Sequence, residues 1–194
     1  MTRRTRLLLG LAALAVLGAL VLPLWEVRLG APQYPEGLGL RIHAHTVRGI
    51  KPNDLDNING LNHYIGMKAI HPASIPELRF MPWLIGLLAA TGALVAWRGA
   101  RRHLSVWLVS FALLGALGLW DFWRWEHDYG HNLDMETAII IVPGMTYQPP
   151  LIGTKQLLNF TATSMPGGGA VALGIAFVLA AGVRVTLTDR RQAA

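Results

Sequence analysis

The chain alternates between long apolar runs and long polar ones. Four apolar stretches, 7–24, 80–97, 104–120 and 167–185, each approach the ~20 residues that cross a hydrocarbon core as a helix. The pattern predicts a mainly α membrane protein with four transmembrane helices and a small α+β outward-facing domain built from the two inter-helix segments. The predicted parts are the N-terminus and first span (1–25), a first outer segment (26–79) and the second and third spans with a short arginine-rich turn (80–120). A second outer segment (121–166) and a fourth span with its tail (167–194) follow. The first span comes after Met-Thr-Arg-Arg-Thr-Arg, as a signal peptide would. Its apolar run is too long for a signal core and no small-x-small cleavage site stands directly before Trp25, so it reads as an uncleaved anchor.

In the first outer segment, Ala-Pro-Gln-Tyr-Pro-Glu-Gly at 31–37 predicts a loop, because prolines and glycine interrupt regular structure. Residues 38–47 then alternate, with Leu40, Ile42 and Ala44 on one side and Arg41, His43 and His45 on the other, which predicts a short strand. Asn53 or Asp54 can cap a helix running to about Ile70, ahead of Pro72. On that helix Leu55, Ile58, Leu61 and Ile65 make an apolar face, and His63, Met67 and His71 line another stripe one turn apart.

The second outer segment opens as an extension of the third span. If the helix persists, His127 and His131 stand one turn apart. Residues 139–142 predict a strand that packs on the apolar face of the first segment's helix. Residues 143–150 predict a proline-flanked loop and 154–164 a short amphipathic helix in the interface plane. Neither segment is long enough to bury much of a core alone, and the chain has no cysteine to staple it, so the two are expected to form one domain.

Composition supports the membrane reading: 53% of residues are hydrophobic and only 14% charged, against roughly 25% charged in soluble domains. The net charge of +6 would suit nucleic acid, but its distribution excludes that partner. Nine arginines against Asp189 flank the spans at the termini and the 98–102 turn, giving +8, while the two outer segments hold eight basic and ten acidic residues, giving −2. This asymmetry predicts a multi-pass protein of the bacterial inner membrane with both termini cytoplasmic. Trp25, Trp83, Trp97, Trp120, Trp123 and Trp125 fall where spans meet water, as an aromatic belt. No ionisable residue lies deep in a span, which argues against a pump, channel or transporter with a charged midplane site. No nucleophile elbow, phosphate-cradling loop or haem-attachment motif is present, so the expectation is a protein that is not an enzyme.

The candidate chemistry is metal binding. Six of the seven histidines and every methionine after the first fall in the two polar segments or at their edges. Imidazole and thioether are soft, uncharged donors that suit copper, and no thiolate competes. His63, Met67 and His71 are the leading candidate ligands, with His43, His45, His127, His131 and Met145 in reserve. The alternative at each position is an ordinary hydrogen-bonding surface residue.

Two long strings carry a resemblance. Ala31-Pro-Gln-Tyr-Pro-Glu-Gly-Leu38 continues to Ile58-Asn-Gly-Leu-Asn-His-Tyr-Ile-Gly-Met-Lys68, and Gly130-His-Asn-Leu-Asp134 continues to Val142-Pro-Gly-Met-Thr-Tyr-Gln-Pro-Pro-Leu-Ile-Gly153 and Lys155-Gln-Leu-Leu-Asn-Phe160. They resemble a family of small multi-span bacterial membrane proteins from gene neighbourhoods of nitrous oxide reductase and its copper-delivery proteins. The resemblance implies a copper or respiratory setting and assigns no ligands. The expected function is a membrane-anchored accessory protein that binds or delivers copper in maturation of a periplasmic copper enzyme such as nitrous oxide reductase. The alternative is a non-catalytic docking or structural subunit of a membrane respiratory complex. The expected partners are the lipid bilayer and a periplasmic or membrane protein; the sequence leaves the oligomeric state open.

Overall fold

A computed structural model describes residues 1–192, with side chains through Leu187; Arg190 and Arg191 of the basic tail, and Asp189, lie outside the described side chains. The order of elements is α1 (Arg3–Gly18), β1 (Trp25–Ala31), β2 (Tyr34–Ile42), β3 (Val47–Gly49), α2 (Asp54–Tyr64), a 3₁₀ turn (Pro72–Ser74), α3 (Glu77–Arg98), α4 (Arg101–His131), β4 (Gly153–Leu157), β5 (Phe160–Pro166) and α5 (Gly168–Gln192). The architecture is mixed α+β. Among the described residues three helices, α3, α4 and the 168–187 part of α5, are long and apolar enough to cross a membrane.

The first predicted span, 7–24, does not form as one helix. α1 stops at Gly18 after 16 residues, and 19–22 continue in tight turns, with Ala19, Leu20 and Val21 donating to carbonyls three residues back. At 1.5 Å per residue α1 is ~24 Å long, short of the ~30 Å hydrocarbon core. It nonetheless packs on α3 and α5 through Leu9, Ala12 and Val16, all at 2% exposure or less. Small residues (Ala12, Ala89, Ala176, Ala180) bring these three backbones close, and Trp107, Phe111 and Phe177 join the same core with edge-to-face rings.

All five strands are antiparallel, in the order β3-β2-β1-β5-β4. β1 is central: it pairs with β2 from its own segment and with β5 from the second one, so both polar segments contribute to a single sheet. Alternation sorts its faces. Trp25 and Val27 are buried on one side with Leu38, Leu40, Ala162 and Ser164, while Glu26 on the other side bonds Arg41 at 3.0 Å and Arg28 at 3.1 Å. These two cations outweigh partial burial and hold the Glu26 carboxyl below its usual range.

The inner face packs on α2, α3 and α4 through a second core of Leu38, Leu40, Val47, Ile58, Ile70, Ile75, Leu78 and Tyr129. Buried Asp54, at the start of α2, accepts from the Gly39 and Lys51 amides at 3.0 Å each, which ties the helix to β2. Sheet and bundle join where Ala44, in the β2–β3 turn, sits fully buried in the bundle core and the Gly169 amide donates to the Pro23 carbonyl at 2.8 Å.

Several local expectations are corrected. The 31–37 loop is a two-residue turn followed directly by β2, and the predicted 38–47 strand breaks at His43, whose amide donates to the Thr46 carbonyl at 2.8 Å. Residues 139–142 form no strand and do not cover α2: Ile139, Ile140 and Ile141 are 47–64% exposed, and the contact is made by the Ile139 and Ile140 amides with the Tyr64 carbonyl. The predicted 154–164 helix is the β4–β5 hairpin. Trp25 is buried rather than interfacial, its Nε1 donating to Ser164 Oγ at 2.8 Å and its ring 5.3 Å from Phe122.

Candidate functional site

α2 decides the fate of the leading ligand set. The helix ends at Tyr64 because Gly66 takes φ = 77°, a left-handed conformation that costs glycine little. The Met67 amide then donates to the Asn62 carbonyl at 2.9 Å and the Gly66 amide to the His63 carbonyl at 3.3 Å, the paired bonds of a Schellman stop. The chain beyond is held in extended form by Asn59, whose side chain both accepts from the Ile70 amide at 2.7 Å and donates to its carbonyl at 3.1 Å.

The stripe of His63, Met67 and His71 therefore does not form. His63 stays on the last turn of α2, exposed and close enough to Asp134 to help hold that carboxylate down, after the larger effects of Thr137 and the Glu136 and Thr137 amides. Met67 packs against the sheet-domain core, and His71 is an exposed residue ahead of the 3₁₀ turn. Met145 is half-buried in the loop before Tyr147.

Two histidine pairs are brought together instead. His43 and His45 lie in the β2–β3 turn with ring centroids 6.0 Å apart and tilted by 45°. Burial, then the charges of His45, Arg48 and Arg41, hold the His43 imidazole below its usual value, despite a backbone bond with Val21 acting the other way. His127 and His131 stack on the last turns of α4, 3.9 Å apart and within 11° of parallel. His131 Nδ1 lies 3.0 Å from the His127 carbonyl; with its proton there, Nε2 is the free donor nitrogen. Here the helix does persist, as one turn of spacing requires. Among the described residues, no group of three or more histidine, aspartate or glutamate side chains is gathered to hold a metal ion.

No protein-family model matches this chain, and neither the curated proteins nor the solved structures give a match.

The feature least visible in the sequence is Glu126. α4 carries charge from Asp121 onward, so this residue stands beyond the apolar 104–120 run, yet it is only 2% exposed and neither carboxylate oxygen has a hydrogen-bond partner. Its surroundings follow from helical spacing. One turn before it, Phe122 meets Trp25; one turn after it, the Gly130 carbonyl accepts from the Tyr147 amide at 2.9 Å. Trp25 is bonded to Ser164, and Ser164 Oγ donates to the Leu151 carbonyl at 3.2 Å. Segment 147–151 is thus pinned at both ends over the stripe that bears Glu126, and the buried Tyr147 hydroxyl is also unpartnered. Desolvation pushes the Glu126 carboxyl up to about 8, so near neutral pH it is mainly the uncharged acid. In the sequence Glu126 stands among Trp, His and Asp, as a residue of a polar face would, and only the i±4 neighbours Phe122 and Gly130 signal a packed one.

Proposed function

We propose that this protein is a non-enzymatic accessory of the bacterial inner membrane which presents its sheet domain to a periplasmic or membrane protein partner, in the maturation of a copper enzyme such as nitrous oxide reductase. The membrane unit is α3, α4 and α5 with α1 as a fourth member, its depth completed by the apolar turns at 19–24. Support comes from the bundle's polarity. α1 and α4 begin, and α3 and α5 end, at the arginine-rich end, where Arg184 Nε bonds Ser105 Oγ at 2.6 Å and Arg6 packs beside Gly99. The sheet sits at the opposite end. The positive-inside rule then puts the arginines in the cytoplasm and the sheet in the periplasm.

The observation that carries the docking reading is an exposed apolar run on the sheet-domain side: Met135 at 43%, Ile139 at 64%, Ile140 at 47% and Ile141 at 52% exposure. Grouped apolar surface of this kind on an otherwise polar region marks contact with a partner. The resemblance supplies the copper-enzyme setting. A second reading, copper binding by the protein itself, is favoured by the stacked His127–His131 pair, which offers two imidazoles one turn apart and leaves further positions for donors from a partner.

One experiment separates the two. Tagged full-length protein is purified from membranes of its source, and both its partner and its copper content are measured, alongside the variants Ile139→Asp/Ile141→Asp and His127→Ala/His131→Ala. The docking reading expects a stoichiometric partner that the isoleucine variant loses by about tenfold or more. Copper retained by wild type without a partner, and lost in the histidine variant, would make copper binding the primary function.

A further inference from the structure

α3 and α4 are joined by a short turn yet splay apart. Between them runs a groove of about 500 Å³, whose walls include Leu84, Leu87, Val106 and Leu114. Its floor closes where Trp107 crosses to α3, the indole Nε1 donating to the Leu88 carbonyl at 2.9 Å. Leu87 and Val106 stay 62% and 59% exposed, so none of the described residues covers the groove.

Its two ends differ in chemistry. From Leu84 to Arg98 the groove follows fourteen helical steps of α3, ~21 Å, which exceeds the ~15 Å depth of one leaflet's acyl chains. The deep end is apolar. The end at the α3–α4 turn is lined by Arg98, Arg102 and His103, and among the described residues neither arginine forms an ion pair with a carboxylate. An apolar slot of acyl-chain length with two unpaired guanidiniums at its mouth is complementary to one kind of molecule. Guanidinium groups take phosphate oxygens by paired N–H bonds, and basic pockets between spanning helices select anionic headgroups.

We infer that the α3–α4 groove is a site for an anionic phospholipid, with an acyl chain between the helices and its phosphate on Arg98 and Arg102. The site rests on the membrane reading of α3 and α4. Trp97, 74% exposed beside Arg98, marks the level of the headgroups.

The test is native mass spectrometry of the full chain in detergent, titrated in parallel with phosphatidylglycerol and phosphatidylcholine of identical acyl chains. Each basic residue near an anionic surface favours it on the order of fivefold, so a wild-type preference of about thirtyfold for phosphatidylglycerol is expected. Arg98→Gln/Arg102→Gln should bring the two lipids near parity. Ser110→Trp, which fills the groove and leaves both arginines in place, should lose the bound lipid while partitioning into membranes as wild type does. Equal binding of the two lipids by wild type overturns the site, as does an unchanged preference in the arginine variant. A second copy of the chain that phospholipid cannot displace would overturn it too, with the groove a helix-pairing surface. If instead the wild-type chain is recovered in the aqueous phase without detergent, the membrane reading itself falls.

Discussion

Glu126→Gln is expected to stabilise the protein at neutral and alkaline pH and to remove most of the pH dependence of its unfolding. In the unfolded chain this carboxyl ionises in its ordinary range near 4.5, whereas in the folded protein burial without partners raises it to about 8. Below about pH 4.5 both states hold the proton and there is no penalty. Between about 4.5 and 8 the folded state binds more protons than the unfolded one, so stability falls as pH rises and the loss is complete above the folded value. The full effect is on the order of 3–5 kcal/mol. Glutamine keeps the volume and cannot ionise. Thermal unfolding in detergent from about pH 5 to about pH 8.5 should therefore show a midpoint that falls with pH for wild type relative to the variant, the lowered His43 imidazole adding the same rise at the acid end to both curves. The carboxyls of Glu26, Asp128 and Asp134 are held low by their partners and titrate below this window, so the difference between the curves reports Glu126. Parallel profiles would mean that the carboxyl is solvated.

What the sequence disclosed and what it hid follow from the range of the interactions concerned. The apolar runs of α3, α4 and α5 and the one-turn spacing of His127 and His131 are local periodicities, and each was legible. The union of the outer segments was also legible, as a deficit: neither could bury a face alone. Its form was not, because β1–β5 pairing joins residues some 140 positions apart, such as Trp25 and Pro166. The β4–β5 hairpin was hidden by its turn, in which Leu158 takes φ = 53°, where asparagine or glycine would have announced it. Thr154, Thr161 and Thr163 were the strand signal that should have outweighed Leu157, Leu158 and Phe160. The end of α2 was legible and was misjudged. Gly66 followed by apolar Met67 is a helix stop, and a helix extended through it to Ile70 carries the His63, Met67 and His71 stripe past the point where the chain turns. The exposed isoleucines failed for another reason: an apolar run predicts burial only when nothing outside the chain is there to cover it.

The second large effect belongs to Gly130→Ala. Gly130 lies within α4, where alanine is ordinarily the better helix former by nearly 1 kcal/mol. Here a Cβ would stand 2.4 Å from the Gln148 amide nitrogen and 2.5 Å from its Cα, and these are backbone atoms that no rotamer change can move. Segment 147–151 must shift, and the bond from the Tyr147 amide to the Gly130 carbonyl is strained or lost. A cost of about 2–4 kcal/mol follows from the overpacking and the lost bond, against the small gain in helix propensity. The displaced segment is the one pinned over the stripe that carries Glu126. Lifting it admits water to the carboxyl and brings its ionisation back toward the ordinary range, so the two sites are coupled rather than additive. In the Gly130→Ala background, Glu126→Gln should give much less stabilisation at about pH 8 than it gives in wild type, with most of its gain gone. A double-mutant cycle followed by thermal unfolding measures this directly. Full additivity would show that Glu126 is buried by something other than the 147–151 segment, and the assignment of that segment as its cover would have to be abandoned.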